Sequence, residues 1–326
     1  MSELLTSILY GINSVIGNYG WSMILFTLLI KLIILPLDYK SRKGMRKMTA
    51  VQPEMMRLQK KYANDKEKLN QKTAELYRKE GVSPMSGCLP MLVSMVVLWF
   101  MWSAMRKVAN TELALQCIEL LTTGTQKNVG FLWIKNLWMP DSPFAPVIAN
   151  QGSLAVMTSE IWSDVFATLN ADQIAKLATF GIDAATISSD TVLAALQTLP
   201  IYAQETALWQ TMPRVNLLIA QLDIYANNNG WFILPILAAV TQYLMTISQP
   251  QTAPADGNSS AASTNNFMKY FFPLFSLWIC SSYNALFSLY WCVSNLFAWV
   301  QSIVLNKVFD NMEKKEKATV KEDTTK

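Results

Sequence analysis

Apolar residues of the chain are gathered into five blocks that contain few charges. A helix that crosses the hydrocarbon core of a bilayer needs roughly 17–25 mostly apolar residues, and each block has about that length. The blocks lie at about 20–37, 86–105, 231–248, 267–283 and 285–305. They predict an all-α polytopic membrane protein with five transmembrane helices. Polar residues at 281–284 predict a tight hairpin between the last two spans.

Residues 41–81, between the first two blocks, follow the period of an amphipathic helix. The turn-forming pair Asn64-Asp65 divides this segment, and Pro53 lies within its first half. We therefore predict a cytoplasmic helical hairpin within the domain 38–85. The hairpin carries a stripe of methionines, which fits either ordinary packing or an adaptable binding surface.

Residues 141–229 carry short amphipathic stripes and no long apolar window. Polar residues that favour helix starts, such as Asn170 and Ser189, precede two of the stripes, and a last stripe covers about 205–226. Eight acidic and only two basic residues interrupt the segment, whereas a span requires about 18 apolar residues in a row. This pattern predicts an external insertion of short helices within the loop 106–230.

Charge is distributed unevenly among the loops. Segment 38–85 holds 13 Lys or Arg against six acidic residues, whereas segment 106–230 holds six against ten. By the positive-inside rule the hairpin and the C-terminus are cytoplasmic, and the N-terminus and the long loop lie outside.

The predicted domains are an N-terminal interfacial amphipathic helix at 1–19, spans at 20–37, 86–105, 231–248 and 267–305, the hairpin at 38–85, the extracytoplasmic loop at 106–230, a flexible cytoplasmic loop at 249–266 and a charged cytoplasmic tail at 306–326.

One charged residue lies inside the first block. Lys31 is the only ionisable side chain in segment 21–37. A lysine near the centre of a span costs about 2.5–3.5 kcal/mol on insertion scales, so such residues usually face a protein interior or a watery cavity. We expect Lys31 to face a polar groove together with Thr27, Ser94 or Thr241. The alternative is that its long side chain extends to the polar edge of the membrane.

Composition narrows the possible functions. The chain is 52% hydrophobic and only 15% charged, below the roughly 25% of an average soluble domain. It contains no histidine, which excludes Ser–His and Cys–His catalytic pairs and His-ligated zinc. Its four cysteines form no CxxC pair and fit small apolar fillers of the core. We therefore predict a non-enzymatic protein without a metal, a cofactor or a DNA partner.

Basic residues of the hairpin form a second candidate surface. Their excess fits a solvated face that also sets the topology, or a surface that binds anionic lipid or ribosomal RNA. The functional interpretation assigns a cytoplasmic recruitment surface to Arg42, Lys43, Arg46, Lys47, Arg57, Lys60 and Lys61.

Several strings, taken in order, resemble one membrane protein family. They are ILFTLLIKLIILPL, MRKMTAVQPEMMRLQKKY, KLNQKTAELYRKEGVSPMSGCLPML, FLWIKNL, ILPILAAVTQYL, MKYFFPLF and LYWCVSNLF. Each string alone is weakly specific, but together with the topology they make the chain similar to the YidC/Oxa family of membrane protein insertases. The resemblance covers roughly 19–138 and 231–307 and points to the short five-span type found in Gram-positive bacteria.

The resemblance implies an insertase and chaperone that uses no ATP. In this family a hydrophilic groove opens to the cytoplasm and the lipid, and its central positive residue is usually arginine, a position that Lys31 matches. Trp291, Ser294 and Asn295 match the family's YWxxSN string, and Ser94 matches a position where glutamine is common. The implied partners are nascent membrane proteins and the lipid bilayer, with the ribosome and the Sec translocon as further candidates. The implied location is the bacterial plasma membrane, and the implied state is a monomer.

Three other functions stay open. A transporter or channel can use Lys31 to bind an anionic substrate, although the sequence shows no inverted repeat and no second charge that we expect to be buried. An intramembrane protease lacks the required groups, because the chain has no histidine and its predicted spans contain no Asp or Glu. A structural scaffold for another translocase differs only in showing no insertion by itself.

Overall fold

The computed structural model describes residues 2–82, 89–216, 221–249 and 259–324. Helices make up most of these ranges. They are α1 (Ser2–Ile16), α2 (Tyr19–Lys61), α3 (Lys66–Lys79), α4 (Leu89–Thr123), α5 (Gln151–Leu154), α6 (Ser159–Ala167), α7 (Ala171–Ala178), α8 (Ser189–Gln197), α9 (Pro200–Thr211), α10 (Ile233–Ser248), α11 (Ser259–Ser282) and α12 (Ala285–Thr324). The structure confirms a mostly helical fold.

Two of the described helices are long and apolar enough to cross a membrane, namely α2 and the Ala285–Lys315 part of α12. Helix α10 is apolar but shorter, at 16 residues. The large exposed side chains in the first half of α2 are apolar, and Leu32 and Ile33 are 58% and 65% exposed. Apolar surface of this kind requires hydrocarbon or a partner protein around it. The structure therefore fits a membrane protein, and the total of five spans stays a prediction.

Helix α2 is longer than the predicted first span. It extends from Tyr19 to Lys61, and both Pro36 and Pro53 lie within it. A helix can continue past the end of an apolar segment because its backbone hydrogen bonds are internal and do not depend on the surrounding solvent. The predicted first span and the first arm of the predicted hairpin are therefore one helix.

A small apolar cluster holds α3 against the end of α2. Its buried members are Val51, Met55, Leu76 and Val82. The Asp65 carboxylate caps α3 by accepting a hydrogen bond from the Lys68 amide at 3.0 Å. Two methionines of the predicted stripe, Met48 and Met55, take part in this packing. At these two positions the stripe serves the core of the helix pair.

Three other helices also extend beyond the predicted spans. Helix α4 continues past residue 105 to Thr123. Helix α11 begins at Ser259, inside the predicted flexible loop 249–266, of which 250–258 lie outside the described residues. Helix α12 continues through the predicted tail to Thr324. The tail is rich in Lys and Glu, which are good helix formers, so it can extend the preceding helix.

The prediction of a helix over 205–226 is wrong for its second half. Helix α9 ends at Thr211, and the strands β1 (Arg214–Asn216) and β2 (Gln221–Asp223) then pair antiparallel. Pro213 lacks a backbone N–H and disfavours helical geometry in the residue before it, so it separates the helix from the first strand. The all-α prediction therefore misses one short β-hairpin.

The insertion has a core of its own. Trp162 is 1% exposed, and its Nε1 donates to Ser189 Oγ at 3.0 Å. Asn170 caps α7, as predicted. Helix α8 begins at the predicted Ser189, but its cap is Ser188, one residue earlier. Other buried side chains of this core are Leu154, Val165, Leu177, Ile182, Val192 and Leu196.

The chain divides into two compact units. The first unit comprises Met1–Phe26, Phe100–Leu237 and Leu277–Trp291, and the second unit comprises Thr27–Trp99, Ala238–Ser276 and Cys292–Lys326. The insertion belongs to the first unit, and Lys31 belongs to the second.

A buried carboxylate in the first unit fixes the point where the insertion leaves the chain. Asp141 has no exposed surface and accepts hydrogen bonds from the Trp231 amide at 2.9 Å and the Leu234 amide at 2.7 Å. The Trp133 indole donates a third at 3.1 Å. Because two of these donors lie at the start of α10, Asp141 caps that helix. Gly230 is required beside it, since a Cβ there would overlap the carboxylate.

Asn229 fixes the point where the insertion returns. Its Nδ2 donates to the carbonyl oxygens of Asn136, Met139 and Pro140 at 2.8–3.0 Å, and its Oδ1 accepts from the Asn136 amide at 2.7 Å. The Met139 carbonyl also accepts from the Ala285 amide at the start of α12, at 2.9 Å. We call Asp141, Asn229 and the segment 136–140 the polar junction. It links the ends of the insertion to the starts of α10 and α12.

A half-buried carboxylate in the first unit, that of Glu112, joins three helices. The Tyr19 hydroxyl donates to Glu112 Oε1 at 2.7 Å, and Tyr10 also hydrogen-bonds this carboxylate. Burial raises the pKa of Glu112, because the ionised form loses solvation, and the two tyrosines oppose this rise. The folded state therefore holds a proton that the unfolded state releases. The stability of the folded state therefore falls as pH rises from the ordinary pKa of a carboxyl group, which applies to the unfolded chain, through the raised pKa of Glu112 in the folded protein.

We expect Glu112→Gln to lose part of this pH dependence. The amide keeps the shape of the side chain and cannot ionise. The thermal unfolding midpoint of the purified protein, measured from mildly acidic to mildly alkaline pH, should fall less in the variant than in the wild type. Glu119→Gln, a more exposed position on α4, is the matched control. An equal fall in wild type and Glu112→Gln would contradict this account.

Candidate functional site

Polar and apolar residues lie on opposite faces of α2. At 3.6 residues per turn, Thr27, Lys31, Asp38 and Arg42 fall within about 60° of one another around the helix axis. The exposed apolar stripe of Leu25, Leu29, Leu32, Ile33 and Leu37 lies on the opposite side. Thr27 has no exposed surface, and Lys31, Asp38 and Arg42 are partly buried. Lys31, Asp38 and Arg42 therefore share the face of α2 that packs within the second unit.

The interior of the second unit is unusually polar for a set of apolar helices. Its buried polar side chains come from four helices: Thr27, Thr241, Gln242, Ser276, Ser294, Asn295, Gln301 and Ser302. Within the described residues, the Asn295 Nδ2 atom is buried without a hydrogen-bond partner. A buried donor without a partner costs free energy, so it marks a place where a polar ligand can bind.

Most of the predicted groove residues belong to one compact unit, and their arrangement as a groove stays a prediction. Thr241, Ser294 and Asn295 are buried in the second unit, the same unit as Thr27 and Lys31. Trp291 lies at the end of the first unit. Ser94 lies within α4, but its side chain is outside the described residues.

A chain of hydrogen bonds joins α2, α10 and α12 about three helical turns beyond Lys31. Arg42 Nη1 donates to Ser302 Oγ at 2.8 Å, and Ser302 Oγ donates to the Ser248 carbonyl at 2.8 Å. Gln301 Nε2 lies 3.4 Å from Asp38 Oδ2. Asp38 and Arg42 are also the charged groups that interact electrostatically with Lys31. We call Asp38, Arg42, Ser248, Gln301 and Ser302 the polar latch.

Asp38 and the partners on α12 were not predicted from the sequence. Asp38 follows Lys31 by seven residues, or two helical turns, and this spacing is a signal that can be found in the sequence. Ser302 and Gln301 lie about 260 positions away, and no local pattern indicates their contact. Burial lowers the pKa of Arg42, whereas the Asp38 carboxylate raises it.

The predicted recruitment surface divides into two groups. Arg46 pairs with Asp310 at 2.5 Å and Glu313 at 3.3 Å and lies over the Phe309 ring, and Arg42 belongs to the polar latch. These two arginines therefore contact α12. The exposed members of the surface are Lys43, Lys47, Arg57, Lys60 and Lys61.

Comparison with known proteins matches the chain to one family and to several curated relatives. Residues 11–314 match the sequence profile described as 60Kd inner membrane protein. The chain is 43% identical over 106 residues to the membrane protein insertase YidC of Fusobacterium nucleatum, covering 32% of this chain and 52% of the relative. It is 39% identical over 128 residues to the YidC of Clostridium perfringens, covering 39% of this chain and 48% of the relative. The chain thus spans about half the length of these relatives.

Proposed function

Because the chain belongs to the 60Kd inner membrane protein family, the YidC/Oxa1 family, we propose that it inserts newly made membrane proteins into the lipid bilayer. The observation that carries this proposal is the position of Lys31. It lies on the polar face of α2, opposite a stripe of exposed apolar side chains. One face of the helix thus suits hydrocarbon, and the other suits a polar client segment.

In the proposed mechanism, Lys31 is the positive centre of a hydrophilic groove. Thr27, Thr241, Ser294 and Asn295 add hydroxyl and amide groups to its walls. A client's polar segment loses solvation when it enters hydrocarbon, and charged groups lose the most. Hydrogen bonds and the ammonium group reduce that cost while the segment crosses. The client's apolar helix then partitions into lipid, and no step requires ATP.

The membrane arrangement is part of the proposal. Five spans, an outer N-terminus and a cytoplasmic C-terminus place α3 and the end of α2 in the cytoplasm and the insertion outside. The location is the bacterial plasma membrane, with a monomer as the working unit. Nascent membrane proteins are the clients, and the ribosome and the Sec translocon are further partners. The insertion is an external accessory.

An anion transporter or channel is the second candidate function. The observation in its favour is that Lys31 is accompanied by Arg42 on the same partly buried face of α2. Two positive charges along one face can bind a small anion. Unlike an insertase, such a protein needs no polypeptide client.

Reconstitution of the purified full chain in lipid vesicles separates these functions. A single-span client with an acidic outer tail is synthesised in the presence of the vesicles, without added Sec translocon. Protection of the tail from protease measures insertion. Flux of a fluorescent anion across the same vesicles is measured in parallel. We expect insertion without flux. Flux without insertion would establish the transporter and overturn the insertase.

The exposed basic group gives a separate prediction. Replacing Lys43, Lys47, Arg57, Lys60 and Lys61 with glutamine should slow insertion, since each basic residue near an anionic surface contributes about 1 kcal/mol. Thermal unfolding should change little, because these side chains are exposed. Glutamine at the five basic residues of α3 is the control, because it removes the same number of positive charges: Lys66, Lys68, Lys72, Arg78 and Lys79. Equal slowing by both sets would assign the effect to net charge and contradict a dedicated surface.

A further inference from the structure

Lys31 is not the only charge on its face of α2. Asp38 and Arg42 follow at positions seven and eleven residues along the same face. At 1.5 Å per residue they lie about 10 Å and about 16 Å from Lys31 along the helix axis. The order of charges is therefore positive, negative, positive, from within the apolar segment to its polar end.

Arg42 is held in place by α12. Arg42 donates to Ser302 Oγ at 2.8 Å, and Ser302 is fully buried. Among the described residues, no carboxylate lies within 4.0 Å of the Arg42 guanidinium. Arg46, one turn further along, is instead paired with Asp310 and Glu313. Arg42 is thus oriented by a neutral hydroxyl, and its positive charge stays available to attract a carboxylate of a client.

Asp38 lies between the two positive groups. Its Oδ2 is 3.4 Å from Gln301 Nε2, and it interacts electrostatically with both Lys31 and Arg42. Because no positive group lies within 4.0 Å of it in the described part of the chain, its charge acts at a distance on both neighbours. The three residues sum to a charge of about +1, and they would sum to about +2 without Asp38.

We propose that Arg42 and Asp38 form the entrance of the Lys31 groove, and that they set how strongly the groove prefers client segments that carry carboxylates. Arg42 is the first positive position that an acidic segment meets, and Lys31 is the second. Asp38 weakens the attraction that both positive groups exert on a client's carboxylates, which lets neutral segments pass and acidic segments leave. This inference rests on the proposed insertase function and names the selectivity of the same site.

The expected effects follow from Coulomb's law. One unit charge at about 10 Å, with an effective dielectric constant between about 20 and 80, changes a rate or affinity by roughly twofold to fifteenfold. Removing Asp38 should therefore favour acidic segments by a factor in this range. Removing the charge of Arg42 should disfavour them by a similar factor.

The test uses two single-span clients that differ only in their outer tail. One tail carries four aspartates, and the other carries four asparagines. Insertion of both by the full chain in vesicles gives the acidic-to-neutral ratio of rates. Asp38→Asn should raise this ratio and Arg42→Gln should lower it. Arg42→Lys, which keeps the charge and loses the planar fork, should leave the ratio near that of the wild type.

Glu54→Gln provides the matched control for Asp38→Asn. Glu54 is an exposed carboxylate on the same helix, and its replacement changes the net charge by the same amount. The ratio should not change in this variant. Thermal unfolding of each variant identifies any that fail to fold. Equal ratios in wild type, Asp38→Asn and Arg42→Gln, with insertion intact, would overturn the inference alone. Failure of the wild type to insert either client would overturn the proposed function.

Discussion

Replacing Lys31 with alanine should slow insertion of a client with an acidic outer tail by about tenfold. Two unit charges about 6 Å apart, at an effective dielectric constant of about 40, attract by roughly 1.4 kcal/mol, which corresponds to that factor. Lys31→Arg should keep most of the activity, since a point charge and a guanidinium both attract a carboxylate. The effect of alanine should shrink for a client without acidic residues.

Vesicle insertion assays on Lys31→Ala, Lys31→Arg and Leu32→Ala test this prediction. Leu32 is the next residue along the chain and lies on the exposed apolar stripe of α2. Its truncation should change insertion little while making a comparable change in side-chain volume. If Lys31→Ala inserts the acidic client as well as the wild type, the charge is dispensable.

Replacing Asp141 with alanine should destabilise the first unit by at least about 4.5 kcal/mol, since three hydrogen bonds to a charged group are lost. The substitution removes the acceptor for two amides at the start of α10 and for the Trp133 indole. Hydrogen bonds to charged groups contribute roughly 1.5–3 kcal/mol each, and buried donors left without partners add a cost. Asn229→Ala should have a similar effect, because three carbonyl oxygens of the polar junction would lose its amide.

Denaturant or thermal unfolding of the purified protein measures this loss. Asp164→Ala removes an exposed carboxylate from the insertion and serves as the control. It should leave the free energy of unfolding within about 0.5 kcal/mol of the wild-type value, as most surface substitutions do. A small effect of Asp141→Ala, equal to that of Asp164→Ala, would show that α10 does not depend on this cap.

Much of the fold was predictable because membrane helices carry their signal locally. Apolar blocks located the apolar parts of α2, α10, α11 and α12, and capping residues located the starts of α7 and α8. The ends of the long helices were not predictable in the same way. An apolar block shows where hydrocarbon surrounds a helix, whereas a helix ends where its backbone hydrogen bonds stop. Helices α2 and α12 therefore continue well past the apolar segments.

The candidate site was predictable only in part, because some of its residues stand out in the local sequence whereas others are brought together only by the tertiary fold. Lys31 is visible because a charge in an apolar segment is costly. Thr27 and Thr241 are buried in the second unit, and their place in the walls of a groove stays a prediction. Ser302, which orients Arg42, is separated from it by 260 residues, and only the tertiary fold brings the two together. The same holds for Arg46, whose partners on α12 make it a structural contact.

Chemical restoration of charge at position 31 tests the central claim most directly. Lys31→Cys is made in a chain whose four natural cysteines are replaced, and it is treated in vesicles with thiol reagents that add an aminoethyl or a methyl group. We predict that the aminoethyl reagent reaches position 31 from water and restores insertion of the acidic client, and that the methyl reagent does not. Equal restoration by both reagents, or no reaction at position 31, would contradict a water-filled groove with a positive charge at its centre.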